Sequence, residues 1–113
     1  MLIVDDHPSF RATARALLQA EGFEVVGEAG DGASGLAAAR ALHPDLVLLD
    51  VQLPDTDGFE LAAALTGNGS GVNVVLTSSR DASDFGPLVA SSGARGFIAK
   101  AELSGAGLLE LLG

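Results

Sequence analysis

Short apolar runs alternate along this chain with longer stretches whose apolar residues recur at helical spacing, and most of the runs stop at a polar or charged residue. Leu2-Ile3-Val4 ends at Asp5-Asp6, as a buried strand ends at a sheet edge. Pro8 suits a first helical turn, and Phe10, Ala14, Leu17 and Leu18 follow at helical spacing until Gly22. Residues 23–29 read as a second strand, and Gly30-Asp31-Gly32 supplies its turn. A second helix carries Leu36, Ala37, Ala41 and Leu42, and His43-Pro44 stops it. Leu46-Val47-Leu48-Leu49 is the most continuous apolar run and leads straight into Asp50, which marks it as the central strand.

Past a loop holding Pro54, Asp55 and Asp57, residues 58–66 show helical spacing at Phe59, Ala62, Ala63 and Leu65, and residues 67–71 form a flexible connector. Residues 72–76 read as a fourth strand, leaving Thr77, Ser78 and Ser79 at its carboxyl end. Gly86-Pro87 then predicts a short or irregular fourth helix: nothing helical over 81–85, and a turn or two from Pro87 through Ser91. Residues 96–99 form a fifth strand ending at Lys100, and residues 103–112 a last helix weakened by Gly105 and Gly107. Five strand-then-helix units require parallel strands with right-handed crossovers, hence a doubly wound α/β sheet with helices on both faces; a barrel would need about eight units.

Composition narrows the chemistry. The 113 residues are 48% hydrophobic and 19% charged, which fits one compact domain over 1–113 and excludes a disordered or fibrous chain. A net charge of -9 repels polyanions, so direct nucleic-acid binding by this domain is not expected. No apolar run approaches the roughly 18 to 20 residues that span a bilayer, and the first ten residues do not resemble a signal segment, so no membrane partner and a cytoplasmic location are expected. The absence of cysteine removes disulfides, thiolate chemistry, zinc fingers and iron-sulfur clusters, leaving carboxylates and a hard metal. His7 and His43 read as surface or loop residues, because neither has a partner at a metal-ligand spacing.

In open parallel sheets, function gathers outside the carboxyl ends of the strands. Asp5 and Asp6 follow strand one, Asp50 follows strand three, Thr77 and Ser78 follow strand four, and Lys100, the only lysine, follows strand five. Taken singly, each has a plain structural reading: an aspartate caps a helix, a threonine bonds its own loop, a lysine snorkels along apolar surface. Placed on one edge, they make another arrangement. Clustered carboxylates stay ionised only beside cations, and a carboxylate next to a divalent metal, a hydroxyl and an ammonium is equipped to receive a phosphoryl group. Mg²⁺, which takes oxygen ligands and keeps several waters, suits such a site.

Asp5-Asp6-His7-Pro8, the segment from Asp50 through Gln52, Pro54, Asp55 and Asp57 to Gly58, Thr77-Ser78, and the run from Gly93 through Phe97 to Lys100 together resemble the signature of receiver domains of bacterial two-component response regulators. The resemblance covers nearly the whole chain, in order. It implies a flavodoxin-like three-layer sandwich with strand order 2-1-3-4-5, and a phosphorylation-activated switch in which Asp50 takes a phosphoryl group from a sensor histidine kinase or phosphotransfer protein. It further implies Mg²⁺ held by Asp6, Asp50 and the Gln52 carbonyl, with Asp5 helping through water. Thr77, Ser78 and Lys100 would bind phosphoryl oxygens, Thr77 and Phe97 would carry the switch, and Gln52 and Ser79 would tune hydrolysis.

Three departures qualify this pattern. Ala101 stands where receivers place a proline in a cis peptide, and a cis bond to a non-proline residue costs about 2.5 to 4 kcal/mol, so either strain is kept or the loop changes. Phe97 lacks a hydroxyl to hold an inward rotamer, and Gly86-Pro87 disturbs the fourth helix. A phosphorylation-independent interaction module on the same fold is the alternative; a phosphatase with an aspartyl intermediate would want a second aspartate where Gln52 stands. Such a domain catalyses its own phosphorylation and dephosphorylation but is chiefly a signalling device. The leucines at 103, 108, 109, 111 and 112 exceed what one helical face buries, which leaves room for a homodimer face or a DNA-binding, transcription-regulating output domain outside this chain.

Overall fold

A computed structural model describes residues 1–67 and 71–113. Asn68, Gly69 and Ser70, the middle of the expected connector, lie outside the described residues. The elements follow in the order β1 (Leu2–Val4), α1 (Pro8–Ala20), β2 (Gly27–Ala29), α2 (Gly32–Leu42), β3 (Leu46–Asp50), α3 (Gly58–Thr66), β4 (Asn73–Ser78), α4 (Leu88–Ser91), β5 (Gly96–Ala99) and α5 (Gly105–Leu112). All strand pairs are parallel, in the order β2-β1-β3-β4-β5.

Strand periodicity divides the core into two layers. Leu2, Val4, Val47, Leu49, Val74 and Leu76 face Ala39, Leu61, Ala62 and Leu65 of α2 and α3. Ile3, Leu46, Leu48 and Val75 face Ala14 and Leu18 of α1 and Leu108 of α5. β1, β3 and most of β4 are therefore apolar on both sides, as a sheet covered by helices on both faces requires. α2 and α3 start at aspartate caps, Asp31 accepting from the Ser34 N–H at 2.7 Å and Asp57 from the Glu60 N–H at 2.8 Å.

Several boundaries differ from the sequence reading. β2 covers only Gly27–Ala29, because its sole neighbour β1 offers three residues to pair with. Residues 23–26 instead lie alongside Met1, whose terminal amine donates to the Glu24 carbonyl at 2.7 Å while the Val26 N–H donates to the Met1 carbonyl at 2.8 Å. β4 begins at Asn73 and takes in Thr77 and Ser78, which pair with Ile98 and Ala99 of β5. α5 begins at Gly105, since extended Ser104 turns its hydroxyl to the Gly107 N–H at 3.0 Å as a cap and leaves Leu103 outside. A 3-10 turn occupies Ala82–Asp84, where no helix was expected, closed by an Asp84 N–H to Asp81 carbonyl bond of 3.0 Å. α4 is one turn long, as Gly86-Pro87 led us to expect.

After β5 the backbone enters a second 3-10 turn, Lys100–Glu102, and no cis peptide occurs among the described residues. The loop has changed rather than kept a cis bond before Ala101. Of the C-terminal leucines, Leu108 is fully buried, Leu103, Leu111 and Leu112 pack partly against the second core layer, and Leu109 stays 60% exposed.

Candidate functional site

The reversal of strand order between β1 and β3 opens a crevice at their carboxyl ends, and the charged residues converge there. Asp5 directly follows β1 and Asp50 ends β3, and the two are 1% and 4% exposed, depths at which a carboxylate needs a partner. The Lys100 ammonium, entering from the end of β5, lies 2.7 Å from Asp5 Oδ2 and 3.3 Å from Asp50 Oδ2. Its position is fixed from the other side by Phe10 of α1, whose ring centroid is 4.5 Å away. The apolar neighbours of Lys100 are thus explained: they carry an inward-reaching stem.

The loops around these charges are braced. The Arg11 guanidinium donates to the Asp5 carbonyl at 2.6 Å and holds the turn after β1. Gly58 packs against the end of β3: a Cβ there would collide with the Asp50 carbonyl oxygen and lie 2.9 Å from Val51 Cα. Asp55 reaches across to α2, accepting from the Gly32 and Ala33 N–H groups at 2.7 and 3.0 Å, and so ties the loop after Asp50 to a helix start.

Burial, together with the charge of Asp5, pushes the Asp50 carboxyl above its ordinary pKa, against the downward pull of the Gln52 N–H and the Lys100 ammonium. That N–H donates to Asp50 Oδ1 at 3.1 Å. Asp5 Oδ2 is fully buried, and its contact with Lys100 is an ion pair without hydrogen-bond geometry, so no hydrogen bond reaches this oxygen. Asp5, Asp6, His7 and Asp50 each present a ligand atom within 4.8 Å of the others. Three carboxylates against one ammonium leave, when ionised, two negative charges uncompensated. A hard divalent cation matches both that charge and the oxygen-rich donor set.

The other anticipated residues lie at the same edge in different postures. Thr77 is level with Asp50 in the sheet, but its buried hydroxyl donates to the Ile98 carbonyl of β5 at 2.6 Å. Ser78 is buried and its hydroxyl accepts from the Arg80 N–H at 3.1 Å; Ser79 and the Gln52 side chain are exposed. Phe97 is half-buried beside Phe85, ring centroids 5.5 Å apart, and Phe85 in turn meets Phe59 at 5.6 Å.

Sequence reasoning missed the bracing by Phe10, Arg11 and Asp55, and it misread His7. The imidazole is exposed, as expected, but its Nδ1 lies 3.1 Å from Asp5 Oδ1, 3.0 Å from Asp6 Oδ1 and 4.0 Å from Asp50 Oδ2. The contact with Asp50 has no signature in spacing, because it comes from the end of β3; for Asp5 and Asp6 the adjacency of His7 to the acidic pair was the available signal.

A family profile described as the response regulator receiver domain matches residues 1–110. The chain belongs to that family. As a receiver domain of two-component response regulators it is 42% identical over 102 residues to BvgA of Bordetella pertussis, a transcription regulator of virulence factors, covering 90% of this chain and 49% of BvgA. The nitrate/nitrite response regulator NarP of Escherichia coli is 38% identical over 101 residues, covering 88% of this chain and 47% of NarP. This receiver thus spans about half the length of the curated relatives it matches. Among solved structures, the signal receiver domain of NarL from Mycobacterium tuberculosis superposes with a TM-score of 0.85 at 37% identity, covering 99% and 94% of the two chains. A chain of a CheX-CheY-BeF3-Mg complex from Borrelia burgdorferi superposes with a TM-score of 0.84 at 26% identity, covering 98% of this chain and 84% of that one. No helix among the described residues is long and apolar enough to cross a membrane.

Proposed function

We propose that this receiver accepts a phosphoryl group on Asp50 from a sensor histidine kinase or phosphotransfer protein and passes on the signal by a change of conformation. The observation that carries this reading is the Lys100 ammonium bridging Asp5 and Asp50 at 2.7 and 3.3 Å, a fixed positive charge beside the attacking oxygen. An Asp50 carboxylate oxygen attacks phosphorus, the bond from phosphorus to the donor's nitrogen breaks with its electron pair going to that nitrogen, and an acyl phosphate remains on Asp50. Asp5, Asp6, Asp50 and the Gln52 carbonyl would hold Mg²⁺, which supplies charge neutralisation to the phosphoryl oxygens.

Lys100 binds one phosphoryl oxygen, the Ser78 N–H another, and Thr77 a third once its hydroxyl leaves the Ile98 carbonyl, to which it donates at 2.6 Å. That exchange is the switch: the β4–β5 contact loosens, and Phe97, which packs beside Phe85 in this structure, turns inward behind Thr77 and shifts the surface of α4, β5 and α5. Gln52 and Ser79, exposed at the mouth, control access of the hydrolysing water. The setting is cytoplasmic, and the transcription regulators among the relatives support a DNA-binding output domain as the recipient of the signal.

Beryllofluoride with Mg²⁺ accompanies a chain of similar fold and serves as the probe. Fluorine NMR of this chain should show bound beryllofluoride only with Mg²⁺, and none in Asp50→Asn. Unchanged binding in that variant would remove Asp50 from the role.

A further inference from the structure

The surroundings of His7 exceed what a hydrogen bond explains. Nδ1 carries at most one proton, yet carboxylate oxygens of Asp5, Asp6 and Asp50 lie 3.1, 3.0 and 4.0 Å from it. Asp5 Oδ1 already accepts the His7 backbone N–H at 2.8 Å. Two ligands at about 2.1 Å from a cation and at right angles to one another are about 3.0 Å apart, so Nδ1 stands from Asp5 and Asp6 at the spacing of neighbouring ligands on one ion. Charge balance points to a cation as well: Asp5 Oδ2, buried at the base of the same cluster, has the Lys100 ammonium at 2.7 Å as its ion-pair partner, and that single positive charge leaves two of the three ionised carboxylates uncompensated.

We propose that His7 is itself a ligand, through Nδ1, to the divalent cation that Asp5, Asp6 and Asp50 would hold. The inference rests on the cation site of the reading above and deepens it. One imidazole turns an all-oxygen site into a mixed nitrogen-oxygen site. Such a site favours first-row transition ions such as Co²⁺ and Ni²⁺ over Mg²⁺, because imidazole adds more to their binding than to that of a hard cation. His43, the other histidine, ends α2 in a left-handed conformation and belongs to no such cluster among the described residues.

The test uses the untagged chain with His7→Ala and His43→Ala. Because His7 is 63% exposed, its replacement leaves the fold intact, which circular dichroism checks. Electron spin-echo envelope modulation on the Mn²⁺-loaded protein should show coupling to a ring nitrogen in the parent and in His43→Ala, and none in His7→Ala. By calorimetry, Ni²⁺ should bind His7→Ala about tenfold or more weakly, with Mg²⁺ affinity changed less than about threefold. Stoichiometric Mn²⁺ binding without nitrogen coupling, and equal Ni²⁺ affinity in His7→Ala, would overturn the assignment of His7 while leaving the cation site standing. A parent chain that binds no Mn²⁺ would overturn both.

Discussion

In the metal-free protein, replacing Asp50 with asparagine should raise stability, an unusual outcome for a change at a buried polar residue. Two terms favour the neutral side chain. Burial of a carboxylate costs several kcal/mol per ion, and the Asp5 charge, with ligand oxygens no more than 4.8 Å away, repels Asp50 by about 3 to 4 kcal/mol at an effective dielectric of about 20. Two terms oppose it: the Lys100 ammonium at 3.3 Å, worth about 5 kcal/mol at the same dielectric, and the Gln52 N–H bond, which an amide oxygen can still accept. Lys100 retains Asp5 at 2.7 Å as a partner, so the change strands no charge. The upward pKa of Asp50 says which side prevails. We expect a gain on the order of 1 to 2 kcal/mol, or roughly 4 to 8 °C in Tm, measured by thermal and urea unfolding in EDTA at low salt.

The pH dependence follows from the same sign. A raised native pKa means the folded state holds the proton more tightly, so the penalty on the parent is full above that pKa and vanishes as pH falls towards the ordinary aspartate value. The advantage of Asp50→Asn should therefore be greatest at neutral pH and shrink on acidification. A divalent cation should erase it by stabilising the parent, by about 2.7 kcal/mol at a hundredfold excess over Kd. A lower Tm for Asp50→Asn in EDTA at pH 7 would refute the reasoning.

Lys100→Ala removes the partner of two buried carboxylates and should cost about 3 to 5 kcal/mol, with part recovered by divalent cations. It should still take up phosphoryl groups slowly but lose the phosphorylation-induced NMR shifts, and normal shifts would count against its role. Gly58→Ala should cost about 1 to 3 kcal/mol by pressing on the Asp50 carbonyl, and should slow phosphoryl uptake measured with acetyl phosphate; a variant of unchanged stability and rate would contradict the packing argument. Leu108→Ala should lose about 2 to 5 kcal/mol in urea unfolding and Leu109→Ala no more than about 0.5, since the first is fully buried and the second exposed; equal losses would mean that α5 is packed differently.

The parallel, doubly wound sheet and the gathering of Asp5, Asp6, Asp50, Thr77 and Lys100 on one edge were legible because apolar runs ending in polar residues are a local signal, whereas the strand order came only with the resemblance to receiver domains. Lys100 was conspicuous for the same reason, a lone charge among apolar neighbours. Lengths of edge elements were less legible: β2 is cut short by the three residues of β1, a limit set by a partner and not by its own residues. The start of α5 depended on which residue capped it, and Ser104 outweighed the leucine run. Contacts that converge from separate elements, Phe10 on Lys100, Arg11 on the Asp5 carbonyl, Asp55 on α2 and His7 on Asp50, have no signature in spacing and emerge only once the chain is folded.

Intact-mass analysis of the chain after incubation with acetyl phosphate and Mg²⁺ tests the central claim most directly. The account predicts a gain of one phosphoryl group in the parent, its loss when EDTA replaces Mg²⁺, and no gain in Asp50→Asn. Equal labelling of the parent and Asp50→Asn would contradict it.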